Sequence, residues 1–282
     1  MHIKYDTHLH TSFSLDSETP MSDQIKRAIS LGFKGLCFTD HIDYGFPKDQ
    51  CPPEFEGLPF LFDMDEYKSE IKTCIDNYPE IEIKTGVECG LQTDEAVIAS
   101  NRKLCSDSDL DQVIGSIHLI DKQDPYYPAF WEGKTVYEVM SRYFELTLIN
   151  LKAFSDINTL GHMDYAARYA IKYIDGQKDY KPRDYFEITD EVMKYLISKD
   201  IALEVNTSPL KKGLGTINPH PDFLVRYKEL GGQLITIGSD AHTTDALGYG
   251  FDQVFDILTD IGFDEYVTYD KRKPVSHKLV IE

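Results

Sequence analysis

Short apolar, β-branched runs alternate with longer stretches of helical periodicity along this chain. The short runs fall at 3–6, 35–39, 81–87, 112–117, 157–161, 201–205 and 233–237, and each reads as a buried strand. The stretches at 22–31, 65–77, 95–105, 136–154, 185–199, 221–230 and 252–261 read as helices. Strands separated by helices pair in parallel, because parallel neighbours need a crossover between them. Seven such units point to an α/β fold closed as a (β/α)7 TIM-like barrel, in preference to an open doubly wound sheet.

The polar positions favour the same architecture. His8, His41, Glu88, His118, His162, Asn206 and Asp240 lie at or just past the C-terminal ends of separate runs. In a β/α barrel that rim is where sites are built, whereas an open sheet concentrates its site at one switch point. Two aromatic insertions, 43–63 and 121–134, follow T-D-H-I-D and G-S-I-H-L-I and emerge on the same face. Each reads equally as a surface loop packed by its own side chains or as a lid. With no linker, low-complexity tract or repeat, residues 1–282 read as one domain.

Six of the nine histidines sit in five short motifs: D-T-H-L-H (6–10), T-D-H (39–41), G-S-I-H (115–118), G-H-M-D (161–164) and S-D-A-H (239–242). A lone histidine at such a place is commonly a capping or core residue. Six at separate strand ends, with Glu88 closing another run, are what a multinuclear metal centre requires. Side chains alternate along a strand, so His8 and His10 share a face and reach one cation, which Glu88 and Asp240 complete. His118 and His162 hold a second cation, bridged by Glu88. Asp16, His41 and His242 make a third site. Imidazole and carboxylate suit Zn, Mn or Fe, so up to three divalent ions are expected.

Composition narrows the partners. The net charge of −19 argues against nucleic acid or an anionic membrane. It also means that an anionic substrate must be drawn in by local cations. Apolar content of 41% is ordinary for a packed domain. The five cysteines, at 37, 51, 74, 89 and 105, form no C-x-x-C pair and fit a reducing, cytoplasmic setting. No stretch has the length of a membrane-spanning helix. A cleaved leader is not expected, because His8 and His10 would leave with it. Oligomeric state is not written in the sequence.

The segments D-T-H-L-H-T-S-F-S-L-D, F-T-D-H, G-V-E, G-S-I-H-L-I-D, G-H-M-D-Y-A-A-R-Y, L-E-V-N-T-S and G-S-D-A-H together resemble the polymerase-and-histidinol-phosphatase (PHP) superfamily. Within it the likeness is to the monofunctional histidinol-phosphatases, carried by D-P-Y-Y-P-A-F-W-E-G-K-T, the arginine of A-A-R-Y, and N-T-S-P-L-K-K. The resemblance covers almost the whole chain. It implies a distorted seven-stranded β/α barrel and a trinuclear metal site. That site maps onto His8, His10, Glu88 and Asp240, onto Glu88, His118 and His162, and onto Asp16, His41 and His242. Some relatives have histidine at the position of Asp16, and a carboxylate there shifts preference toward Mn or Fe. Pro209 departs from the glycine that relatives often carry.

The resemblance implies hydrolysis of L-histidinol phosphate to L-histidinol and phosphate, in histidine biosynthesis. A PHP phosphoesterase acting on nucleotides or other small phosphate esters is the alternative. A detached polymerase module and an amidohydrolase are disfavoured, by acidity and by the S-D-A-H ending respectively. The expected mechanism is in-line attack of metal-bound hydroxide without a phospho-enzyme. Glu88, His118, Asp240 and His242 are the candidate catalytic side chains, and Ser116 and Ser239 read as turn or strand-end residues. Arg168, Lys211, Lys212 and Asn206 are candidate substrate contacts. For the substrate's cationic amine the candidate carboxylates are Asp43, Asp121 and Glu204, each of which reads equally as a structural hydrogen-bonding residue.

Overall fold

The structure, a computed structural model, describes residues 2–50, 55, 58–173 and 180–279. Its centre is a parallel sheet of β1 (Tyr5–Leu9), β2 (Gly35–Phe38), β4 (Glu82–Gly90), β5 (Gln112–Ser116), β6 (Thr159–Leu160), β7 (Ala202–Asn206) and β8 (Ile235–Gly238), paired in that order. The short β3 (His41–Ile42) follows β2 and pairs with β4, setting His41 opposite Glu88. β8 returns to β1 through a bridge between Leu9 and Ala241, and Asp240 N–H donates to the His8 carbonyl at 2.7 Å. The sheet is therefore a nearly closed barrel.

Helices α1 (Met21–Leu31), α2 (Met64–Asn77), α3 (Glu95–Cys105), α4 (Val136–Ala153), α5 (Ala167–Tyr173), α6 (Phe186–Ser198), α7 (Ser208–Lys211), α8 (Pro221–Glu229) and α9 (Phe251–Ile261) alternate with the strands. Their starts are locally coded. The Asp63 and Asp94 carboxylates accept the first amides of α2 and α3, and Thr135 and Glu138 form a reciprocal capping box on α4. One face of each longer helix packs on the barrel. On α1 the buried positions are Met21, Gln24, Ile25 and Ala28. A continuous set of buried apolar side chains runs from Ile3 to Leu279. No helix among the described residues is long and apolar enough to cross a membrane.

Two features depart from expectation. The first strand is 5–9 instead of 3–6, so His8 lies inside it. The polar H-L-H reads as a strand end, yet the barrel interior near its rim is itself polar. The other feature is an antiparallel hairpin, β9 (Glu265–Asp270) and β10 (Lys273–Lys278), absent from the sequence reading. It covers the N-terminal end of the barrel. Tyr269 Oη donates to the Asn158 carbonyl at 2.9 Å, and Tyr266 Oη accepts the Lys4 amide at 3.1 Å.

Candidate metal centre and substrate pocket

The site is built around Glu88, which is fully buried. Its Oε2 lies 3.2 Å from His8 Nε2, 3.5 Å from His10 Nε2 and 2.9 Å from His41 Nδ1. Its Oε1 lies 3.2 Å from His118 Nε2 and 2.9 Å from His162 Nε2, and accepts Ser116 Oγ–H at 2.6 Å. Asp240 Oδ1 stands 3.3 Å from His10 Nε2 and 3.6 Å from His242 Nδ1. Asp16 Oδ2 stands 3.2 Å from His242 Nε2 and 3.8 Å from His41 Nε2. Every residue expected to hold metal is thus in one cluster. The pairing differs in one respect: His10 also groups with His41 and His242, their ring nitrogens all lying within 4.8 Å of one another.

Two strand ends turn sharply to make this convergence. His162 and Asp240 both have positive φ, 22° and 53°, a conformation non-glycine residues seldom adopt. A buried carboxylate oxygen needs partners. Among the described residues Glu88 Oε2 accepts no hydrogen bond, although imidazoles surround it. His8 Nε2 and His10 Nε2 also face each other at 3.1 Å. Bonds of ~2.0–2.2 Å to one cation put neighbouring donor atoms roughly 3–3.5 Å apart. The donor set therefore fits divalent cations.

Outer groups aim the rings. Glu204 Oε1 lies 2.5 Å from His8 Nδ1, and Asp43 Oδ2 lies 2.6 Å from His118 Nδ1. His10 Nδ1 meets Ser14 Oγ at 3.0 Å, and Ser14 in turn donates to Asp40. Each of these three rings is left with Nε2 toward the centre, for His8 and His118 through the carboxylate–histidine arrangement usual in metal sites and for His10 through a serine hydroxyl. Burial opposes charge on Glu88, but the imidazoles of His8, His41 and His118 hold it well below the usual carboxylate range. Burial likewise opposes charge on Asp240, which its contact with His10 and the charges of His8 and His242 hold low. Both are carboxylates at neutral pH, the form a cation binds.

The cluster floors a cavity of about 470 Å³. Arg168 projects into it from α5, buried, with Nη1 3.7 Å from Asp240 Oδ2 and 3.5 Å from Ser208 Oγ. Its guanidinium lies 3.9 Å from the Tyr165 ring centre, and its Nε has no partner among the described residues. Lys212 stands at the mouth, where the Arg168 charge and burial lower its pKa to about 8. Lys211 also lines the cavity but is ion-paired with Asp245 at 2.6 Å. Asn206 does not line it: the side-chain amide donates to Glu204 and the side-chain oxygen accepts the Ser208 amide.

The carboxylates proposed for an amine are placed elsewhere. Asp43 lines the cavity but is engaged by His118, Glu204 holds His8 and the His162 amide, and Asp121 forms an exposed pair with Arg142. Both insertions reach the cavity, through Phe46, Phe55 and Phe60 and through Asp124 and Tyr126. The parts of the first at 51–54 and 56–57 lie outside the described residues. Gln50 joins the two loops, accepting the Asp124 amide at 3.1 Å and the Tyr127 hydroxyl at 3.0 Å. Sequence reasoning missed Asp124, Tyr165 and Tyr169. The spacing Y-x-x-R-Y (165–169) was the available signal, since it puts one tyrosine a helical turn before the arginine.

A barrel whose C-terminal rim gathers imidazoles and carboxylates beside a buried arginine defines a metal-dependent hydrolase class. The chain belongs to the PHP domain family, matched over residues 6–208. It is similar to a probable histidinol-phosphatase of Clostridium acetobutylicum, 36% identical over 88% of this chain and 89% of the relative. It is also similar to a histidinol-phosphatase of Lactococcus lactis subsp. lactis, 31% identical over 99% of both chains. A crystal structure of histidinol phosphate phosphatase from Lactococcus lactis, complexed with zinc, L-histidinol and phosphate, superposes with a TM-score of 0.82 at 30% identity. The match covers 96% of this chain and 98% of that one.

Proposed function

We propose that this chain is a phosphomonoesterase that hydrolyses L-histidinol phosphate to L-histidinol and phosphate. The observation that carries the reading is the Glu88-centred cluster of imidazoles next to the buried, partly unpartnered Arg168 guanidinium in one cavity. The relatives' names and the ligands of the Lactococcus lactis structure support the choice of ester.

His8, His10, Glu88 and Asp240 would hold one cation, Glu88, His118 and His162 a second, and Asp16, His41 and His242, with His10 beside them, a third, with Zn, Mn or Fe as the candidate metals. When bound, such cations neutralise phosphate charge and acidify a water enough to attack phosphorus. The chain's own residues bind and orient. Arg168, its guanidinium lying over the Tyr165 ring, offers its fork to two phosphate oxygens. Lys212 adds a point charge at the mouth. Phe46, Phe60 and Tyr126 wall the cavity and exclude water from the reacting end. These cations offset locally the repulsion that a net charge of −19 exerts on an anionic ester. Cys37, Cys74, Cys89 and Cys105 are buried and free, which fits a reducing cytoplasm.

The test is steady-state turnover of histidinol phosphate beside nucleoside monophosphates and sugar phosphates in one metal buffer. Histidinol phosphate is expected to have the highest kcat/KM. A nucleotide turned over much faster would sink the reading.

A further inference from the structure

Among the described residues five carboxylates line the cavity: Asp16, Asp43, Glu88, Asp124 and Asp240. Four of them face imidazoles, as described above. Asp124 stands apart, on the insertion that follows β5. Its Oδ1 accepts the Tyr126 amide at 2.8 Å, an Asx turn that fixes the side chain, and no cation pairs with it among the described residues. Gln50, reaching over from the other insertion, pins its backbone amide. Tyr126, Tyr165 and Tyr169 line the same cavity. Removal from water raises the Asp124 carboxyl to about 6, and the charges of His118 and Arg168 only partly offset this. An acid so placed is unfavourable for the free protein and is relieved by a cation brought in with the ligand.

Resting on the proposed function, we infer that Asp124 receives the ammonium group of the substrate and selects phosphate esters that carry one. Asp43, Asp121 and Glu204 are engaged by His118, Arg142 and His8, so among the described residues Asp124 is the cavity carboxylate with no imidazole or cation bonded to it. An aliphatic ammonium keeps its full charge at neutral pH, whereas imidazole titrates near 6.5. The ammonium therefore gains more from a desolvated carboxylate, and the imidazole is left to the aromatic walls.

The experiment compares kcat/KM for histidinol phosphate and for its analogue lacking the amine, in wild type and in Asp124→Asn. Asparagine keeps the turn, because its carbonyl oxygen also accepts the Tyr126 amide. Wild type is expected to favour the amine-bearing ester by about a hundredfold, since its carboxylate is left unpaired by the analogue. In Asp124→Asn that ratio is expected to fall to within a few-fold of one, through loss on histidinol phosphate. A ratio unchanged by the substitution, or an equal loss on both esters, overturns the assignment while leaving the substrate reading intact. Wild type that fails to turn over histidinol phosphate sinks both.

Discussion

At the scale of single residues, Glu88 and Arg168 make claims of different kinds. Glu88 has two imidazoles at one oxygen and three at the other. Glu88→Gln replaces one acceptor oxygen with a donor amide and removes the negative charge at the centre of the cluster. We expect activity to fall on the order of a thousandfold or more, with bound metal reduced in elemental analysis. A variant retaining both metal and rate would show that the carboxylate is only structural. Arg168 lies over the Tyr165 ring and lines the cavity, and a guanidinium there can meet an anion with two parallel bonds, so shape matters as well as charge. Arg168→Ala should lower kcat/KM by about two to three orders of magnitude. Arg168→Lys should recover little of that loss, because an ammonium cannot make two parallel bonds. Full activity in the lysine variant would mean that only a point charge is needed.

At the scale of elements, strands and helices set each ligand's position, and some of this was readable in advance. The helices read from apolar periodicity at 95–105 and 136–154 are found at 95–105 and 136–153. The β9–β10 hairpin was not readable. Its turn uses Lys271 and Arg272, both with positive φ, in place of the Asn-Gly that would have announced it. Arg272 instead reaches the Cys105 and Asp156 carbonyls, so tertiary contacts hold a turn that local preference disfavours. Glu204 stood equally as an amine contact and as a structural hydrogen-bonding residue, and the structure gives it the second place. A carboxylate near a strand end looks substrate-facing, but alternation along β7 turns it into the barrel, onto His8. Strand contact also makes a prediction. A Cβ added at Gly238 would lie 2.3 Å from His8 Cβ and 2.8 Å from Glu204 Oε1. His8 Cβ is fixed by its backbone, so Gly238→Ala must push β1 away from β8, costing about 1–3 kcal/mol. We expect a lower melting temperature together with weaker metal retention. Unchanged metal content in a folded variant would show that β1 and β8 can separate without disturbing the centre.

At the scale of the molecule, an acidic chain concentrates ionised carboxylates and imidazoles at one barrel rim, and something must balance them. Without cations, protons do so in part. Burial opposes charge on His41, yet Glu88 and Asp16 raise it to about 9, and carboxylates likewise raise His8 and His118 well above ordinary imidazole. These rings are then protonated at neutral pH when metal-free. A cation binds only neutral imidazole, so loading must expel their protons. The sign is fixed: raised pKa values in the metal-free protein mean proton release on binding, and affinity that weakens as pH falls. Cations that bind the folded chain alone also stabilise it, by about 2.7 kcal/mol for a site at a hundredfold excess over Kd. For a chain of this size that corresponds to roughly 5 °C in melting temperature. Chelator-treated protein should therefore melt lower and lose turnover. Adding zinc or manganese back should restore both. Titration in buffers of different ionisation enthalpy should report more than one proton released per chain near pH 7. Melting that ignores the chelator, with no protons released on metal addition, would mean that the imidazoles and carboxylates balance one another without cations.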